Sequence, residues 1–518
     1  MSSSFQTELS LPVDARMLRL AQDYVRGLAQ LAGLPEDQAE SLALAVWEAC
    51  EDSIEHAFEG EDSGTLKLVG EVTPAALTLS LHDQGLPFYQ TREPVTPGSG
   101  PESPDSACLP CRGLASIHQC VDEVRWIYHG VEGNELRLTK DLAGVCRLPD
   151  REPETTSPRT EAVLAAAPGG YTIRLLRPGD GIHLARLMYR VYGYSYTNED
   201  FYYPDRLDHD LDAGRHVGVV AVAGNGEIVG HAGVERPDLG PLAELGQLAV
   251  APVHRGQGLR KLMGDRLQEE IKKLGLVGLF AEAVTIHTIS QEGSDSRGLH
   301  PTGIKLLDWQ AHFKTLQHRR PRSSRWEREA EPGLQRETMV FYFKYLAPPG
   351  RKAICAPSRH RGMLGKIYKN LEVDLQFLEP SGPTGPGELK VHYDQATGVG
   401  IIQVNRIGIG TLPEIYQARR DLCDMVGAKV VGLYLPLAQG GTPYLCEAVE
   451  ADGFFFSGVQ PHFAPDGDFL RLQYLHAELD PARIHLSSPF AKELLTYVLQ
   501  EKEAFSGQLS AISKNKEL

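Results

Sequence analysis

AELGQLAVAPVHRGQGL, residues 243–259, is the stretch that decides the middle of this 518-residue chain. Ala243–Val250 has the apolar content of a strand, and Leu259 opens a strongly helical run to Leu274. Between them lies Arg255-Gly256-Gln257-Gly258. Strand, glycine loop and helix suit a pyrophosphate. Glycine lets the backbone come close, and the helix N-terminus presents unpaired N–H groups and a partial positive charge. Upstream, Tyr171–Asp180 reads as a strand and turn, followed by a helix to about Tyr194. His216–Ala223 and Glu227–Val234 read as a strand pair joined at Gly224-Asn225-Gly226.

The run Val250-x-Pro252-x-x-Arg255-Gly-x-Gly258 resembles the acyl-CoA loop of the GNAT superfamily of N-acetyltransferases, and the resemblance spans residues 171–346. It implies that the N–H groups of Leu248 and Val250 pair with the pantetheine arm of acetyl-CoA or another acyl-CoA. It also implies that Arg255, Gly256, Gln257, Gly258 and Leu259 hold the pyrophosphate. Glu244 stands where many members place a general base acting through water, the plain alternative being an exposed strand-end acid. Arg260 replaces the small residue that closes the family's loop, and no tyrosine stands where the family's acid is expected. His287 and Ser290 are the candidates there. Acyl-CoA binding is better supported by these residues than turnover. The aromatic run Tyr192–Tyr196 with Phe201–Tyr203 falls where the family binds its acceptor, although packing between helices is the commoner use of such rings.

The N-terminal stretch has a different pattern. Asp14–Ala32 carries a helical apolar stripe, and Pro35 opens a second helix to about Phe58. Strands are expected at Thr65–Val72, Ala76–His82, Glu123–Tyr128 and Asn134–Leu142, with a helix over Gly113–Val121. This order predicts an α/β sandwich over one antiparallel or mixed sheet. On the second helix Glu48, Asp52 and His56 recur every four residues and share one face. Such carboxylates suit Mg²⁺, which takes oxygen ligands, and they equally suit a solvated helix face. Asp83-Gln-Gly85 follows a strand and presents a carboxylate in a tight turn, and Arg112-Gly113 follows a long loop and opens a helix.

In this order and spacing these segments resemble, over about residues 11–142, the ATP-binding fold of histidine kinases, gyrase and heat-shock ATPases. The resemblance is strongest to the anti-sigma-factor serine kinases. It implies Glu48 as catalytic base, Asp52 as the Mg²⁺ ligand and Asp83 as acceptor for the adenine amino group. Gly85 would then lie against the base, Arg112 and Gly113 beside the phosphates, and Thr139 would support the adenine. Two residues depart from the family: Asp52 stands for its Asn, and Cys111 for the first glycine of its phosphate loop. Cys108-x-x-Cys111 reads as structural or incidental, with a thiol switch on nucleotide access as the sharper alternative.

Residues 348–518 carry helix, Gly453-Phe and a closing strand pair, which resembles the second half of another acetyltransferase fold without its glycine loop. The fold class expected is α/β multidomain, an ATPase-type α/β sandwich followed by two acetyltransferase-like mixed-sheet domains. The divisions are an ATP-binding domain over 1–146, a linker over 147–170, a GNAT-type domain over 171–347 and a degenerate copy over 348–518. The function this implies is acyl-CoA-dependent N-acyl transfer, with ATP and Mg²⁺ as regulatory ligands. The alternative is a partner-switching serine kinase, or an anti-sigma-type regulator with an acyl-CoA-sensing domain. Its protein partner would be a sigma factor or its antagonist.

Composition narrows the classes further. The net charge is −16, and residues 1–150 hold 10 Lys+Arg against 24 Asp+Glu, so the acidity lies almost wholly in the first domain. That disfavours nucleic acid as a partner. Glu48, Glu51, Asp52, Glu55 and Glu59 crowd one helix, which predicts metal-dependent nucleotide binding. No apolar run reaches transmembrane length, the first residues do not read as a leader, and 8 cysteines are too few for a disulfide scaffold. The expectation is a cytoplasmic protein without a membrane partner.

Overall fold

A computed structural model of the chain describes residues 4–58, 64–88, 117, 120–142 and 170–514, apart from 197, 237, 310–334 and 396, with side chains to 505. Two compact units emerge among these residues. The first holds those up to Gly233 and Gln247–Glu270, and the second holds Val234–Gly246 and those from Ile271 onward. The division falls within the stretch 171–347. The early strands of that stretch belong with the N-terminal domain, and its later strands belong with the C-terminal part.

The first unit opens with β1 (Phe5–Pro12), α1 (Leu18–Leu31) and α2 (Glu36–Asp52), which ends in a π turn, Ser53–Ala57. β2 (Thr65–Val72), β3 (Ala76–Asp83), β4 (Glu123–Tyr128) and β5 (Asn134–Asp141) follow. The sheet is antiparallel throughout, in the order β1-β2-β3-β5-β4. Alternation puts Leu66, Leu68, Leu79, Leu81, Leu136 and Leu138 on one face, where they meet Val25, Leu28, Leu42 and Val46 of the two helices. This is the expected two-layer sandwich. β1 is an addition to the sequence reading. As a mostly exposed edge strand it carries little apolar alternation.

Behind it come β6 (Thr172–Leu175), α3 (Gly181–Tyr192), α4 (Pro204–Asp212), β7 (His216–Val222) and β8 (Ile228–Glu235). β9 (Leu242–Val250) and α5 (Leu259–Ile271) complete the segment that carries the glycine loop.

In the second unit β10 (Gly278–Val284), α6 (Ile289–Asp295), β11 (His300–Trp309) and β12 (Glu337–Tyr345) form the second half of the first acetyltransferase-like fold. β13 (Lys352–Ile354), α7 (Arg361–Asn370), β14 (Leu375–Phe377), β15 (Glu388–Asp394), β16 (Val399–Arg406) and α8 (Thr411–Arg420) begin the second copy. β17 (Val430–Pro436), α9 (Thr442–Ala451), β18 (Phe455–Ala464), β19 (Gly467–Leu475) and α10 (Pro489–Lys514) finish it. The strand order β10-β12-β11-β18-β19-β17-β16-β15 is a near-mirror about the β11–β18 junction, with β10, β12 and β11 answering β17, β19 and β18. In the copy, β16 and β17 are parallel and joined through α8, and β17 pairs antiparallel with β19. One continuous core covers both halves, from Ile304 and Val340 to Leu433, Leu472 and Leu494.

Candidate functional site

α2 presents Glu48, Asp52 and His56 at successive turns, as their spacing requires. Asp52 and His56 are 3.6 Å apart and line a cavity with Asp83, Trp126, Asn134 and Arg186. Glu48, one turn earlier, is half-buried beside Cys120, and burial together with the Glu48 charge holds that thiol up.

Asp83 ends β3, buried. Its Oδ1 accepts Gly85 N–H at 2.9 Å and Asn134 Nδ2–H at 2.7 Å. Burial nevertheless pushes the carboxyl up to about 6, against the bonds from Asn134, Gly85 and Ser53. Asp52 is also pushed to about 6, by burial first, with His56 opposing and Glu55 and Asp83 adding to the shift. The turn is locked in place. Leu86 N–H bonds Ala57 O at 2.7 Å, Phe88 N–H bonds Asn134 Oδ1 at 2.8 Å, and Phe88 stacks on Trp126 at 4.2 Å. A Cβ on Gly85 would lie 2.5 Å from Ala57 O, so only glycine lets this turn rest on the end of α2.

Among the expected nucleotide residues, then, the structure brings Asp52, Asp83 and Gly85 together. Arg112 and Gly113, like Cys108 and Cys111, lie outside the described residues. Thr139 is not beside Asp83. It pairs with Thr78 and Glu123 and lines the opposite, open face of the sheet. The physical reason is strand parity, since odd-numbered residues of β5 face away from the helices. Asn134 takes that place, directly across from Asp83 in the β3–β5 register. The sequence reading missed it, the only signal being a polar residue opening the closing strand.

The donor set fits the groups the resemblance implies. Asp52 offers a carboxylate oxygen in a half-open cavity, suited to a hard cation, and Asp83 offers a buried acceptor for an exocyclic amino group.

In the second candidate site β9 carries a non-glycine residue with positive φ, Gln247 at 52°, just before Leu248 and Val250. Leu248 O and Val250 O accept from Tyr192 Oη at 3.4 Å and Arg255 Nε at 3.2 Å, respectively. Arg255, Gly256, Gln257 and Gly258 are exposed. Both glycines are left-handed, at 78° and 73°, and a Cβ on either would meet open space. Leu259 is buried at the start of α5. The loop is therefore an open cradle at a helix N-terminus, which fits a pyrophosphate.

Glu244 pairs across from Phe280. Desolvation pushes its carboxyl up to about 8, with Glu282 and Glu235 adding and Lys305 opposing. His287 lies between β10 and α6 with Nδ1 buried, and Ser290 is exposed.

Residues 11–140 match the model of the histidine kinase-like ATPase domain, and residues 183–291 match that of the acetyltransferase (GNAT) family. The serine-protein kinase RsbW of Listeria monocytogenes is 30% identical over 134 residues, covering 26% of this chain and 84% of the kinase. RsbW of Bacillus subtilis is 26% identical over 139 residues, covering 26% and 86%. Among solved structures, the GNAT phosphinothricin acetyltransferase of Sinorhizobium meliloti, in complex with acetyl-CoA, is 18% identical. It covers 34% of this chain and 89% of that one, at a TM-score of 0.27. By its first domain the chain belongs to the RsbW family of serine-protein kinases, with their histidine kinase-like ATPase fold, and it carries a GNAT-family acetyltransferase domain behind it.

Proposed function

We propose that the chain is an acyl-CoA-dependent N-acyltransferase whose RsbW-like domain binds ATP with Mg²⁺ as a regulatory input. The observation that carries the acyl-CoA half is the open glycine cradle, Arg255–Gly258, set on the N-terminus of α5 after the irregular strand β9. Acetyl-CoA, when bound, supplies an acyl group as a thioester. The chain's own part is to hold the pyrophosphate with the N–H groups of the cradle and the pantetheine arm with those of Leu248 and Val250. Glu244 then takes a proton from the acceptor amine. With its carboxyl near 8, it does so efficiently only towards alkaline pH.

On the nucleotide side, Asp83 accepts the adenine amino group, Asp52 ligates Mg²⁺, and Glu48 stands ready as base should a serine hydroxyl be presented. Family membership favours a second reading, in which this domain phosphorylates or sequesters a protein partner such as a sigma factor or its antagonist.

Calorimetric titration of the full chain with acetyl-CoA, followed by an assay for free CoA thiol released in the presence of amines, separates the readings. Binding that drops at least about tenfold in Gly258→Ala, whose Cβ disturbs a left-handed backbone in the cradle, supports the acyltransferase. Absence of heat with wild type removes it and leaves the kinase reading.

A further inference from the structure

α3 and the residues that follow it touch both candidate ligand elements of the first unit. Arg186, 6% exposed, donates to Pro87 O and lines the cavity that holds Asp52 and Asp83. Tyr194 Oη donates to Gly85 O at 2.9 Å. The turn after Asp83 is thus gripped from two sides, by Ala57 O at the end of α2 and by these two donors from the acetyltransferase half. Tyr203, from the same half, packs where a Cβ on Gly130 would stand, 2.2 Å from its ring.

Two residues before Tyr194, Tyr192 reaches the other ligand element. Its hydroxyl donates to Leu248 O on β9, and it lies near enough to Arg255 of the cradle for the guanidinium charge to act on the phenol. The segment between is a packed aromatic block. Tyr192 meets Tyr196 at 4.9 Å, Tyr194 meets Tyr202 at 5.2 Å, and Tyr196 meets Phe201 at 5.5 Å. Tyr202 Oη closes the block by donating to Gly193 O at 2.6 Å and accepting Tyr196 N–H at 3.2 Å. Rings packed this closely shift together or not at all.

We infer that Tyr192 and Tyr194 are positioning residues that couple the two sites, so that nucleotide at the Asp83 turn tightens acyl-CoA binding at Leu248–Leu259. The inference rests on the proposed binding of both ligands. Each ligand favours the one arrangement of the block that the other's element also rests on, so the two bindings favour the same state and the sign is positive. Linkage then requires that acyl-CoA tighten nucleotide binding by the same factor.

The test uses the full chain and calorimetry in four arms: acetyl-CoA alone, acetyl-CoA with saturating Mg-ADP, Mg-ADP alone, and Mg-ADP with saturating acetyl-CoA. The expected result is a tightening of about fivefold or more, equal in both directions. Tyr192→Phe and Tyr194→Phe keep the rings and so the packing. Each is expected to hold the single-ligand affinities within about threefold while bringing the factor close to one. A purely structural role for these hydroxyls would leave the factor untouched. Both ligands binding to wild type with no mutual effect overturns the coupling and leaves the proposed function standing. A factor that survives in both variants overturns the assignment to these tyrosines. Failure of either ligand to bind wild type overturns the proposed function, and the coupling with it.

Discussion

Gly303 of β11 and Gly458 of β18 face each other as the register pair that joins the two acetyltransferase-like halves of the second unit. A Cβ on Gly458 would lie 2.3 Å from Gly303 Cα and 2.5 Å from Thr302 O, and its φ is 141°. At Gly303 the nearest obstacle is Ser457 O at 3.1 Å. Gly458→Ala is therefore expected to cost about 2–4 kcal/mol and Gly303→Ala distinctly less. Urea unfolding of the two variants checks the asymmetry. Equal losses would mean that the junction is not held by backbone approach.

His360 and Glu450 form a buried pair in the same unit, with Nε2 2.6 Å from Oε1 and Nδ1 2.7 Å from Tyr497 Oη. Among the described residues they form, with Cys446, a group of ligand-type side chains, all buried. His360→Ala strands a buried carboxylate and should destabilise the chain by about 2–4 kcal/mol. The His360→Ala/Glu450→Ala double variant should lose less than the sum of the two single losses, which a double-mutant cycle reads directly.

The acidic character of the first domain acquires a location in Asp52 and Asp83, each with its carboxyl near 6. A carboxyl raised on folding contributes stability that is present below its unfolded value and lost as pH rises through the folded one. Asp52→Asn, which removes the carboxyl and keeps the side chain's shape, should therefore stabilise the ligand-free chain at neutral pH and leave it little changed near about pH 4. It should also weaken the Mg²⁺ dependence of nucleotide binding. Thermal melts at the two pH values without ligand, and with ADP in the presence and absence of Mg²⁺, measure both effects.

Glu244 gives the same sign over a wider window. Its carboxyl, raised from 4.5 to about 8, holds a proton in the folded chain through neutral pH. Stability from this group is complete below the lower value and lost as pH rises through the upper one. Glu244→Gln should raise the melting temperature at about pH 9 more than at about pH 5. In acyl transfer it should abolish the rise in kcat/KM through pH 8 expected of a base. A pH–rate profile with the same alkaline limb in the variant would deny Glu244 that role.

Much of this was legible in the residues. The leucine alternation of Thr65–Val72 and Asn134–Asp141, the Asp83-x-Gly85 turn and the Arg255–Gly258 loop each declare themselves within a few neighbours, because periodicity and glycine backbone freedom are local. β1 was hidden because an exposed edge strand has no buried face to pattern. α10 was legible in principle, since Ser488-Pro489 marks its start, with Ser488 Oγ accepting Ala491 N–H at 3.2 Å, and its buried stripe is Ala491, Leu494 and Val498. Thr139 was misplaced because a short motif fixes the order of residues along a strand but not which face each one takes.

The sequence by itself determined the two ligand-type motifs, the acidic helix and the likeness of each domain to its family, since these depend on residue type and short spacing. Only the tertiary structure decided that Asn134 rather than Thr139 meets Asp83, that Tyr192 and Tyr194 reach a carbonyl of each candidate site, and that Gly303 meets Gly458. Those pairings join residues 51, 56, 109 and 155 positions apart, and no periodicity in the chain encodes a contact at such separations. They are chosen by packing, where strand parity and close backbone approach leave room for one partner and exclude the rest.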